Sequence, residues 1–138
     1  MAGYSGTPLP RKLGIKDGHR VLFLGAPAGF ADTLQPLPDG VTLLTRAGTG
    51  PYDVMVAFLK TRVELAAAVD NLKPRMDPAA GLWVAWPKKA SGVVTELTED
   101  LVRLAGLEAG LVDNKVCAID ETWSGLRLVV RKRDRPRR

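Results

Sequence analysis

The apolar positions of this chain fall into short unbroken runs, separated by stretches in which they recur every three or four residues. Residues 21–24 (VLFL), 52–58 (YDVMVAF) and 82–86 (LWVAW) are nearly all apolar and do not alternate. Runs of this kind suit strands covered on both faces, as in a parallel sheet. A further strand, 41–44, follows the turn signal Asp39-Gly40. Between these runs the period changes. Leu65, Val69 and Leu72 form one helical stripe, entered through Thr61 and Glu64 at capping-box spacing and ended by Pro74 and Pro78. A second helix runs through "EDLVRLAGLEAG", capped by Thr95 or Thr98 and stopped at Gly110. A short helix fits in "AGFADTLQ" before Pro36 and Pro38. The last two strands, 112–119 and 126–130, are joined by so few residues that they form a hairpin. The pattern predicts an α/β, Rossmann-like three-layer fold. Its strands 21–24, 41–44, 52–58, 82–86 and 112–119 are parallel, and 126–130 is antiparallel.

Composition bounds the picture. At 138 residues and 46% hydrophobic, the chain is one domain able to bury a core without disulfide or metal. The expected organisation is an extended arm over 1–12, rich in Gly and Pro, an α/β domain over 13–130, and a basic tail over 131–138. No apolar run approaches the roughly 20 residues of a membrane span, and the first residues carry no signal-type apolar core. A cytoplasmic protein with no membrane partner is expected. The single Cys117 excludes an internal disulfide. The net charge of +5 belongs to the tail "RKRDRPRR", since the remaining acidic and basic residues balance. That tail makes weak nucleic-acid contact an expected partner property.

Candidate chemistry begins at "VLFLGAPAGF". A strand running into a glycine-bearing turn is a common cradle for phosphates and nucleotides. This turn, the strand opening "YDVMVAF", the segment "LKPRMDPAAGLWVAW" and the closing hairpin together resemble the S-adenosylmethionine-dependent methyltransferase fold over 13–132, with one β-α unit missing. The strings "GAPAGFADTL", "LWVAWPKKASG" and "DETWSG" also resemble a group of short bacterial proteins of unassigned function. Three features depart from the methyltransferase pattern. Phe23 stands where the family's first motif has an acid, and Pro27 sits between Gly25 and Gly29. The second strand ends in Thr45 and Arg46, where an acid would bind ribose hydroxyls; arginine accepts no hydrogen bond. Only six residues separate Thr45 from Tyr52, too few for a crossover helix and strand.

In a doubly wound sheet the binding crevice lies beyond the carboxyl ends of the strands. That rule gathers Gly25, Pro27, Gly29, Phe30, Arg46, Lys60, Trp86, Lys88, Lys89, Asp120, Glu121 and Trp123. The cations suit an anionic small molecule, and the two indoles suit a planar group. Asp120 and Glu121 are also placed to pair with the lysines. No catalytic or metal-binding residue emerges. The departures lead to the expectation of a non-catalytic binding or regulatory protein, with a small-molecule anion or a protein as partner, no cofactor and no use of S-adenosylmethionine. The alternatives are a small S-adenosylmethionine- or nucleotide-using transferase, and a nucleic-acid-associated protein acting through its tail.

Overall fold

A computed structural model describes residues 7–135. Six strands form one sheet: β1 (Arg20–Leu24), β2 (Thr42–Leu44), β3 (Tyr52–Phe58), β4 (Met76–Pro87), β5 (Leu111–Ala118) and β6 (Trp123–Val130). Their spatial order is β2-β1-β3-β4-β6-β5. The first four pair in parallel, and β6 is antiparallel to both β4 and β5. β5 therefore points the same way as the parallel strands, and only β6 is reversed, as the runs and the hairpin predict.

Helices cover both faces. α3 (Arg62–Leu72) and α4 (Glu99–Glu108) lie on one face, and α1 (Leu9–Leu13) and α2 (Phe30–Thr33) on the other. Alternation along β3 divides its side chains between the layers. Met55 and Ala57 pack with Leu65, Val69, Leu72 and Val102 under α3 and α4. Val54, Val56 and Phe58 pack with Leu13 and Phe30 under α1 and α2. β3 is buried on both sides because it is central, which is why its sequence does not alternate. Thr61 and Glu64 form the capping box that starts α3, and Thr98 caps α4 by accepting from the Leu101 amide at 3.2 Å.

Three boundaries differ from the sequence reading. Residues 9–13 are helical rather than extended: Pro10 sits in the first turn, where its missing N–H costs nothing, and Pro10 and Leu13 are buried. Burial of this pair outweighs the local Gly/Pro signal; residues 1–6 lie outside the described region. β4 begins at Met76 instead of 82. Pro78 is accommodated because the register with β3 shifts there, from Tyr52↔Met76 to Val54↔Gly81, and a bulge needs no N–H from it. β6 begins at Trp123, since the connecting turn is tighter than "ETWSG". The β2–β3 connection is a plain loop. The Arg75 side chain donates to the Gly48 carbonyl at 2.5 Å, and the Gly48 amide donates to the Tyr52 hydroxyl at 2.8 Å.

Candidate functional site

The carboxyl ends of β1, β2, β3 and β4 meet the β5–β6 turn along one edge of the sheet. The first part of the edge is the 25–30 turn after β1. Gly25 and Gly29 adopt φ of +70° and +80°, a region that disfavours any side chain. A Cβ at Gly25 would stand 3.1 Å from the Phe58 carbonyl, so the turn hugs the end of β3, whereas one at Gly29 would meet nothing within 4 Å. Gly25, Ala26, Ala28 and Gly29 are exposed. Pro27 accepts the Phe30 amide at 3.1 Å and so closes the turn into α2.

Phe30 is buried, and it belongs to an edge-to-face series of rings, Phe23–Phe30–Phe58–Trp123, with centroids 5.3, 4.9 and 5.1 Å apart. Phe23 stands in the acid position because the side chain there enters this apolar layer. Trp123 faces its ring into the same layer, so it serves packing rather than as a free platform for a planar ligand. Asp120 accepts the Thr122 and Trp123 amides at 2.8 and 2.7 Å and thereby shapes the β5–β6 turn. Among the described residues, neither Asp120 nor Glu121 forms an ion pair with Lys88 or Lys89.

On the α3/α4 side of the edge, Trp86, Lys88 and Lys89 line a cavity of about 650 Å³ together with Ser124 and the exposed Val93 and Val94. Two straps position its wall. The Lys88 amide donates to Thr122 at 2.7 Å, tying the β4–α4 loop to the β5–β6 turn. The Lys60 carbonyl accepts the Glu96 amide and the Thr95 hydroxyl, each at 2.8 Å, and Glu96 accepts the Arg62 amide at 2.8 Å. The Glu64 carboxyl is held below its usual range by the Lys60 and Thr61 amides at the same corner. The cavity thus gathers Trp86, Lys88 and Lys89. The 25–30 turn, Arg46, Lys60, Asp120, Glu121 and Trp123 share the edge but do not line it. Val93, Val94 and the Thr95 and Glu96 straps escape sequence reading because they lie in a loop without periodicity, and Ser124 because its place beside the cavity depends on how β6 pairs with β4.

At the opposite edge, α1 and the starts of the strands enclose a second cavity of about 340 Å³ with Arg11, Lys12, Lys16, His19, Lys115 and Arg127 in its lining. His19 has a local role there, its Nδ1 accepting the Lys16 amide at 3.1 Å. Cys117 lies half-buried nearby, its thiol pushed up by burial against the opposing influence of Lys12 and Lys115.

The strand order decides the fold. With its order 2-1-3-4-6-5 and one reversed strand next to the edge, the chain superposes over most of its length on solved structures, methyltransferases among them. An S-adenosylmethionine-dependent methyltransferase from Aquifex aeolicus matches with TM-score 0.57 and 17% identity, covering 87% of this chain and 86% of that one. The ribosomal protein L11 methylase of Lactobacillus delbrueckii subsp. bulgaricus matches with TM-score 0.60 and 12% identity, over 90% and 75%. Fibrillarin of Aeropyrum pernix, in complex with natively bound S-adenosyl-L-methionine, matches with TM-score 0.56 and 15% identity, over 92% and 70%. This is a methyltransferase-like Rossmann fold. No protein-family model matches the chain, and no curated protein sequence does.

These likenesses correct two expectations. Phe23, Pro27 and the absent acid after β2 pointed to a non-catalytic protein that makes no use of S-adenosylmethionine. Structures sharing this architecture include methyltransferases, and the fibrillarin among them holds S-adenosyl-L-methionine. Motif loss alone is therefore too weak a ground for either expectation, because a turn binds through backbone groups that sequence motifs report only indirectly. Among the described residues no helix is long and apolar enough to cross a membrane.

Proposed function

We propose that this chain is a small S-adenosylmethionine-dependent transferase whose site is the carboxyl edge. The observation that carries the reading is the methyltransferase strand order, reversed β6 included, with an exposed glycine turn after β1. The turn fits the amino-acid end of the cofactor: it is built of small residues, and the space beside Gly29 is open. After β2 the fit is different, since Thr45 and Arg46 replace an acid, so the cofactor's hold rests on the 25–30 turn. Bound there, S-adenosylmethionine supplies an electrophilic methyl group.

The chain's own residues orient the acceptor. Lys88 and Lys89 at the cavity mouth favour a substrate with an anionic group, and Val93, Val94 and the edge of Trp86 favour an apolar body. Thr95 and Glu96, strapped to Lys60 and Arg62, hold this wall beside the end of β3.

Calorimetric titration with S-adenosylmethionine and S-adenosylhomocysteine tests the reading. Binding in roughly the micromolar range is expected. Ala28→Glu, on an exposed turn position, places a carboxylate against the cofactor's own and weakens binding at least about tenfold with the melting temperature unchanged. Absence of heat and of thermal stabilisation with either compound at about a thousandfold excess over such a constant would refute the proposal.

A further inference from the structure

The second cavity lies at the edge where the parallel strands begin, away from the proposed transfer site. Arg11 and Lys12 come from α1, Lys16 and His19 from the loop into β1, Lys115 from β5 and Arg127 from β6. Five cationic side chains thus converge from four parts of the chain. Two carboxylates share the lining, Asp53 and Asp77. Each already serves a backbone amide: Asp53 accepts from Arg20 at 2.8 Å, and Asp77 from Ala79 at 3.0 Å. Among the described residues, Arg11, Lys16, Lys115 and Arg127 form no ion pair. The field of the cations is therefore only partly offset.

Arg127 is held in a particular way. Its guanidinium lies over Gly81, where a Cβ would come within 2.2 Å of Nε. Gly81 is what lets the arginine lie flat across β4. Burial, and Arg135 nearby, press against its charge, so a bound anion would relieve an unfavourable environment. Because β6 is reversed, its carboxyl end delivers Arg131, Lys132, Arg133 and Arg135 to this same edge. Arg135 folds back and donates to the Val130 carbonyl at 3.2 Å. A cavity of about 340 Å³ admits a phosphate group, but the cations extend beyond it along the tail. A ligand with repeating phosphates meets both. Among the described residues no Phe, Tyr or Trp lines the cavity, and the His19 imidazole there is held by the Lys16 amide, so bases find little stacking platform.

We propose that this amino-edge surface, formed by Arg11, Lys16, Lys115 and Arg127 and continued by the 131–135 segment, binds the phosphodiester backbone of nucleic acid without sequence preference. The inference does not rest on the transferase reading, since it concerns the other edge and requires no cofactor.

Fluorescence anisotropy with the full chain tests it, using labelled 20-nucleotide single-stranded RNA and a 20-base-pair DNA duplex of two unrelated sequences each. The expected result is binding that falls steeply with salt and is equal for the two sequences. Arg11→Glu and Lys16→Glu are exposed changes; each should weaken binding by about tenfold and reduce the salt slope by about one. Arg62→Glu, on α3 at the far face, is the charge-matched control and should leave binding near that of the wild type. The proposal is overturned by equal losses in the control, by absence of binding at about 50 mM salt, or by loss on deletion of the 132–138 tail with both Arg11→Glu and Lys16→Glu neutral. Displacement of the RNA by inorganic phosphate at equal phosphate concentration would also overturn it, since that marks a single-ion site. The measurement is made without S-adenosylmethionine, so its failure says nothing about the transferase reading.

Discussion

Thr61 and Glu64 exchange hydrogen bonds at the start of α3: the Glu64 amide donates to the Thr61 hydroxyl at 3.1 Å, and the Glu64 carboxylate accepts the Thr61 and Lys60 amides at 3.0 and 2.9 Å. Thr61→Ala should cost about 1 kcal/mol in urea unfolding. The charge on Glu64 adds a pH dependence of definite sign. Its folded pKa lies below the ordinary value of 4.5, so the contribution is complete above that value and is lost as pH falls through the lowered one. The stability gap between wild type and Glu64→Gln should therefore be complete at neutral pH and shrink as the pH falls below 4.5. This pair was legible in the sequence because capping is local. The Phe23 position was legible as a departure but not as a cause. Its reason is the ring of Phe30 seven residues on, and beyond it Phe58 and Trp123, contacts no spacing rule reports.

At the scale of elements, the apolar runs placed all six strands because each is at least partly buried and bounded by turn residues. Their ends were less legible, since β4 continues through Pro78 by means of a bulge that only the partner strand defines. Glycines mark where elements crowd. In β6, a Cβ on Gly125 would stand 2.8 Å from Ile119 Cδ1 and 3.1 Å from Trp83 Cε3. Trp83 cannot yield, because its indole N–H donates to the Leu13 carbonyl at 3.0 Å and the residue is fully buried. Gly125→Ala should therefore destabilise by about 1–3 kcal/mol, despite the better strand propensity of alanine. A depressed unfolding midpoint at unchanged denaturant slope would report it.

For the whole molecule, the sheet is unequally supported. β3 and β4 are central and packed on both faces, whereas β2 is three residues long, at the edge, and largely accessible. Amide exchange should be slowest in β3, β4 and the paired part of β6, and fastest in β2; uniform protection across the sheet would contradict this. The carboxyl-edge candidates were legible because one topological rule collects them from strand ends. The amino-edge cations were not. Arg11, Lys16, Lys115 and Arg127 sit in four local settings that each read as ordinary solvated charge, and they converge only because β6 lies between β4 and β5. The neutral balance of the body likewise hid a local excess, since charge counts along a chain carry no information about which face each charge occupies.

The series of rings from Phe23 to Trp123 has an optical consequence. Trp123 touches Phe58, Phe58 touches Phe30, and Phe30 opens the helix whose cap is Gly29. An indole whose emission responds to the packing of its neighbours is thereby wired to the glycine turn. With Trp83 and Trp86 replaced by phenylalanine, the remaining tryptophan fluorescence comes from Trp123 alone, and anything that shifts the turn changes its colour or yield. The protein carries its own dye, already attached beneath the glycine turn.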